Sequence, residues 1–226
     1  MKKIRFILIA AFLCVATSIN AQFMNATNAA APSAEIKGWD GVKVSALQFA
    51  FDESGIDIVK IWGASFSYSK GFSLSKSVPL FLESGLELQY VAGDLMDEYE
   101  YQMSLKMKGS MLSIIVPFNV AYKISLDDTF SLMPYAGAYL KGNIWGEMEV
   151  DYSYTDSYGY THKESNKLDL FDEDEGDGER FQYGLQFGLA VCIDKYVVSL
   201  GYQKELNEVM EDTDSSAWKL SVGVNF

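Results

Sequence analysis

Cysteine, proline, histidine and basic residues are all scarce in this chain. Two cysteines in 226 residues exclude a disulfide scaffold. Four prolines beside 49% hydrophobic residues exclude a disordered or collagen-like chain. A formal net charge of −13 argues against a nucleic-acid partner. After residue 22 no apolar run approaches the roughly 18 residues of a spanning helix, so a membrane span there must be β. Mean hydropathy is nevertheless +0.01. Charge and apolarity must therefore be segregated along the chain.

Lys2, Lys3 and Arg5 precede an apolar run from Phe6 to Ala16, then a small, polar stretch to Gln22. This is the pattern of a secretory signal peptide, residues 1–22, with Ala21 beside the cut. Cys14 lies inside the apolar run behind Leu13, which does not fit a lipoprotein cleavage site. Export would leave Cys192 alone, with 15 basic and 31 acidic residues and a net charge of −16. Residues 23–40, rich in Ala and Asn, read as a flexible periplasmic lead, and 41–226 as the folded domain.

That domain has a period of two. In 181–193 the odd positions are Phe181, Tyr183, Leu185, Phe187, Leu189, Val191 and Ile193, and the even positions are small or polar. Segments 80–92, 112–124 and 217–226 alternate in the same way, and 61–74, 130–145 and 196–206 follow with more noise. The phase of 41–51 slips near Ala46 and Leu47, which predicts a bulge. Pro117 and Pro134 inside strands predict further bulges. Lys70 falls on the apolar face, which calls for snorkelling or a bulge that turns it inward. Eight strands alternate between tight turns (75–78, 126–128, 194–195) and long connections (52–60, 93–109, 146–180, 207–216). The expected fold is all-β, an eight-stranded antiparallel up-and-down transmembrane barrel with the long loops outside the cell. Trp62, Tyr90, Phe181, Tyr183 and Trp218 would form one aromatic girdle, and Phe72, Tyr122, Phe130, Tyr196 and Phe226 the other.

The charge follows the loops. Of 31 acidic residues, 23 fall in or beside the long connections, and within strands only Glu83, Glu87 and Glu205 remain. With Lys123, Lys141 and Lys219 they make a six-residue lumen network. An eight-stranded barrel has little more room than its side chains fill, so a packed polar core is expected. The alternative is a narrow, cation-preferring passive channel through those six. Asp172, Asp174, Asp177 and Glu179 form a carboxylate cluster with the chemistry for weak divalent-ion binding. Counted from Asp172, the run fails the calcium-loop pattern, with Gly176 at position five and Tyr183 at twelve. A solvated, self-repelling loop is the plainer reading. The stretch 152–160, YSYTDSYGY, has the composition of an adaptable contact surface, and reads equally as two strand extensions.

Nothing in the chain calls for an enzyme or a cofactor. The one histidine, His162, has Glu164 and Ser165 as sequence neighbours, a poor scaffold for a catalytic triad. No nucleotide-binding, zinc-protease or hydrolase fingerprint is present.

Several stretches carry a family likeness: Val116-Pro-Phe-Asn-Val-Ala-Tyr122, Pro134-Tyr-Ala-Gly137-Ala-Tyr-Leu140, the Gly-alternating 181–193, the terminal Phe226, and Asn20-Ala-Gln22 at the end of the signal. Over 41–226 the chain resembles the outer-membrane β-barrel domain proteins of the PorT/OmpX-like type found in Bacteroidota. The resemblance implies location in the cell outer membrane, contact with its lipid and lipopolysaccharide, and delivery to the barrel-assembly machinery through Phe226. It implies no shared catalytic residues. The expectation is a membrane-anchored scaffold that displays acidic loops to an extracellular partner.

Overall fold

The computed structural model describes residues 37–53, 59–100, 103–172, 178–207 and 213–226. The chain divides into Met1–Glu35 and Ile36–Phe226. The stretch read as a signal peptide, and nearly all of the stretch read as a lead, lie outside the described residues.

Ten antiparallel strands are described: β1 (Trp39–Glu53), β2 (Val59–Ser73), β3 (Leu80–Glu100), β4 (Met103–Tyr122), β5 (Ile124–Ser125), β6 (Phe130–Thr155), β7 (Thr161–Asp169), β8 (Phe181–Ile193), β9 (Tyr196–Glu205) and β10 (Thr213–Asn225). Eight of them close a ring. Each consecutive pair of β1, β2, β3, β4, β6, β8, β9 and β10 is bonded, and β10 returns to β1. The two beyond the expected eight are short: β5 pairs only with the foot of β6, and β7 only with its upper part. The ring begins at Trp39, inside the stretch expected to be a flexible lead.

The stagger of the ring follows from its pairing. From Asp40 the partners run Lys70, Ser84, Phe118, Ala138, Leu185, Lys204 and Ser216, and return to β1 at Ala50. One circuit thus climbs about ten residues, the tilt that closing a small barrel requires.

Alternation explains the two surfaces. Even positions of β1, β2, β3, β4, β9 and β10 and odd positions of β8 face outward. Exposed there are Phe66, Leu86, Leu88, Val120, Phe187 and Leu200, with the expected aromatics Trp62, Trp218, Phe72, Tyr196 and Phe226 toward the two ends.

The expected bulges are not where the sequence put them. β1 pairs in unbroken register with β10 from Gly41↔Asn225 to Glu53↔Thr213, and with β2 on its other side. The phase slip is chemical: Leu47 and Phe49 point inward like Lys43 and Ser45, because the lumen itself becomes apolar near that end. Pro117 keeps its partner Tyr139, while the β3–β4 ladder skips its level and resumes in the same register. Pro134 stands one residue below the last β4–β6 pair. The register shifts that occur fall between Asp94 and Met96 and between Leu112 and Ser113. Lys70 stays outside, 3.2 Å from Asp40, and Tyr68 donates to the same carboxylate at 2.6 Å.

Two of the expected long loops are largely strand. β3 and β4 pair up to Glu100↔Met103, and β6 and β7 pair from Glu147↔Asp169 to Thr155↔Thr161. YSYTDSYGY is thus the top of a hairpin, as the strand-extension reading of that stretch expects.

Glycine at 184 and 188 admits two large rings to the lumen. A Cβ at Gly184 would strike the Tyr139 ring, and one at Gly188 would meet the Tyr135 hydroxyl and the Leu200 carbonyl. At Gly142 a Cβ would meet nothing within 4 Å. Gly188→Leu is therefore expected to destabilise the barrel by about 1–3 kcal/mol. Gly142→Ala should change stability by less than about 0.5 kcal/mol. Urea titration of refolded protein, read by gel mobility and far-UV circular dichroism, checks both.

Candidate functional site

The interior is layered. At the short-turn end, Ala121, Met133, Ala190, Cys192 and Val197 are buried together, with Trp39 and Tyr135 packed on them. At the long-hairpin end, Phe49, Ile61, Val91, Met111, Phe171 and Ala217 form a second apolar cluster. Phe171 comes from the β7–β8 connection and folds into the mouth. Its amide donates to Asp169 Oδ1 at 2.9 Å. The Arg180 guanidinium lies 5.3 Å from its ring and donates to its carbonyl at 3.0 Å.

Between the clusters lies the polar layer. Lys43 Nζ is 2.6 Å from Glu83 Oε1, which also accepts from Ser69 at 2.8 Å. Lys219 Nζ is 2.9 Å from Glu87 Oε2. Lys141 Nζ is 2.6 Å from Glu205 Oε1 and lies 4.8 Å from the Phe49 ring centroid. Gln182 and Ser215 donate to the other Glu205 oxygen. Asn143 donates to Gln182, and Ser113 to Asn143. Gln203, Gln186 and Asn119 form a second chain at 3.0 and 2.8 Å. A cavity of ≈ 30 Å³ lies among Lys43, Glu83, Glu87, Asn119 and Lys219. That is enough to admit water, beside the Glu87 Oε1 that has no protein partner.

Five of the six residues expected in the lumen stand there as partners. The sixth, Lys123, does not. It follows β4 at the rim, exposed, with its amide bonded to the Pro79 carbonyl. Lys43 holds the place expected of it. The signal was available: Lys43 shares its parity with Gly41 and Ser45. It was obscured because Leu47 and Phe49, two steps on, look like a lipid-facing row.

Of the carboxylate cluster, Asp174 and Asp177 lie outside the described residues. Asp172 and Glu179 are described, and among the described residues no group of three or more His, Cys, Asp or Glu could hold a metal. His162, Glu164 and Ser165 are not assembled. β7 places His162 and Ser165 on opposite faces of its sheet, and the His162 ring instead stacks 4.7 Å from Tyr154 with Nε2 3.2 Å from Asp156.

Asp156 caps the hairpin turn. Its Oδ1 accepts from the amides of Tyr158 and Tyr160, both at 2.9 Å. The Tyr160 amide first, then the His162 ring, hold its carboxyl below the usual carboxylate range. A depressed folded value means that the cap contributes fully above the unfolded value and is lost as pH falls through the folded one. Amide-exchange protection at Tyr158 and Tyr160 should accordingly persist down to about pH 4 and disappear at lower pH. Asp156→Ala should abolish it throughout.

The central pair makes a second prediction. Lys141→Met leaves Glu205 charged and buried without its cation, at a cost of about 3–5 kcal/mol. Lys141→Met with Glu205→Gln should cost less than the single change. A double-mutant cycle in urea measures the difference.

No protein-family model matches this chain, and no curated protein does either. Among solved structures, the chain is similar to Ail, the attachment invasion locus protein of Yersinia pestis, at 15% identity over 84% of this chain and 99% of that one, with a TM-score of 0.39. It is also similar to Neisserial surface protein A, at 15% identity over 83% and 97%, TM-score 0.40. A major outer membrane protein from Thermus thermophilus is similar at 15% identity over 82% and 99%, TM-score 0.38.

Proposed function

We propose that the protein is exported, sits in the outer membrane as a PorT/OmpX-like barrel, and serves there as a non-conducting anchor for acidic hairpins that meet an extracellular partner. The observation that carries this reading is the closed lumen. Apolar clusters stand at both ends, and the charges between them are matched as Lys43–Glu83, Lys219–Glu87 and Lys141–Glu205. An ion entering this layer would have to break a pair in a poorly solvated interior, at several kcal/mol.

The outer surface supports the location. Its belt is apolar, and its exposed aromatics gather toward both ends. The outward trio Tyr68, Asp40 and Lys70 lies near the short-turn end, which in this reading meets the phospholipid headgroups of the periplasmic leaflet, while lipopolysaccharide contacts fall toward the long-hairpin end. Phe226 ends β10's side of the seam, with its amide donating to the Asp40 carbonyl at 2.7 Å, and its exposed ring suits recognition by the assembly machinery. No catalytic role is assigned.

The competing reading is a narrow cation-preferring channel. Planar-bilayer recordings of refolded protein separate the two. The anchor reading expects no steady openings in the wild type. Steady cation-selective openings altered by Glu87→Gln or Lys219→Met would establish the channel instead.

A further inference from the structure

Beyond the ring, β3, β4, β6 and β7 continue as a four-stranded sheet, and cross-strand pairing assigns its side chains to two faces. Odd-numbered residues of β4 line the lumen as far as Met111, so the face that continues from them looks across the barrel mouth. On it Met103, Leu105 and Met107 stand opposite Tyr154, Tyr152 and Val150. Glu98 stands across from Leu105, and Glu164 across from Tyr152. The opposite face carries the lysines. Lys106 pairs with Asp97 at 3.1 Å, Lys108 with Asp151 at 3.8 Å and Lys167 with Glu147 at 2.7 Å, and Lys163 stands across from Ser153. Among the residues of this sheet whose side chains are described, the mouth-facing side carries Glu98, Glu164 and His162 and no lysine or arginine.

Such a face is unusual in water. Met103 is 48% exposed and Tyr154 38% exposed. Methionine side chains adapt to varied apolar partners. The Tyr152 ring lies 5.9 Å from that of Tyr154, one face of which the His162 ring covers, and an open aromatic face attracts cations. The charge arrangement narrows the occupant. An acidic segment would be repelled by Glu98, Glu164 and the overall charge of −13. A purely apolar segment would strip water from both carboxylates without pairing them. A second copy docking through the same face would set acid against acid.

We propose that this mouth-facing surface docks a cationic amphipathic peptide. Its apolar side chains would cover Met103, Leu105 and Tyr154, and its lysines or arginines would reach Glu98, Glu164 and the tyrosine rings. The inference rests on the anchor reading and names its partner class.

The test uses the full barrel in zwitterionic nanodiscs. The probe is a fluorescein-labelled 18-residue Leu/Lys peptide of helical amphipathic pattern, with a Leu/Glu peptide and empty discs as controls. Anisotropy should show saturable binding of the Leu/Lys peptide above empty discs, and none of the Leu/Glu peptide. Glu98→Gln with Glu164→Gln should weaken it about three- to tenfold. Met103→Ser with Tyr154→Ser should weaken it about tenfold or more. Asp97→Asn with Glu147→Gln, an equal charge change on the other face, should leave affinity within about twofold. Absence of saturable binding, or equal losses from the two charge-changing pairs, would overturn the proposal. A silent barrel that binds no peptide refutes this inference alone, whereas a conducting barrel refutes the anchor reading whatever the peptide does.

Discussion

A ring of eight tilted strands leaves room inside for little more than one another's side chains, and every other feature follows from that confinement. A charge placed there has almost no water to solvate it, so it must bring its counter-charge. The three lysines and three glutamates of the lumen meet that condition, each within 2.9 Å of its partner. The same confinement makes Gly184 and Gly188 necessary beside Tyr139 and Tyr135, because no further atoms fit. Outside the ring the requirement reverses. The side chains there are apolar over the belt and aromatic toward its ends.

The sequence was most legible where lumen and exterior differ most. β8 alternates between Gly, Gln, Ala or Cys inside and Phe, Tyr, Leu, Val or Ile outside, and no structure is needed to assign its faces. Glu83, Glu87, Lys141, Glu205 and Lys219 could be placed inward for the same reason. Legibility failed in β1. There the inward row passes from Lys43 and Ser45 to Leu47 and Phe49, and periodicity alone cannot separate an apolar lumen plug from an apolar exterior. Lys43 is missed for that reason, and the parity of 112–124 places Lys123 inward, one residue past Tyr122 where β4 has ended.

The β3–β4 hairpin beyond the rim was hidden for a different reason, whereas 152–160 was legible as strand extensions. Acidic and glycine-rich segments such as 93–109 read as loops, because strand propensity is low and no alternation of apolar and polar residues marks them. What organises them is cross-strand pairing: lysine against carboxylate on one face, methionine against tyrosine on the other. The inward turn of Phe171 was equally invisible, since an isolated aromatic in an acidic run has no periodic context. It fills the mouth only because Phe49, Ile61, Val91 and Met111, distant in sequence, leave a place for it.

The closure of the lumen is the claim on which the functional reading stands, and Cys192 reports on it from within. It is a free thiol buried in the apolar cluster at the short-turn end. The most direct measurement is the rate at which a small, charged, water-soluble thiol reagent labels Cys192 in the mature, folded barrel, compared with the barrel unfolded in urea. A closed lumen predicts protection in the folded state and rapid labelling after unfolding. Labelling of the folded barrel at the unfolded rate would mean that water and solutes pass freely inside, and would contradict the account.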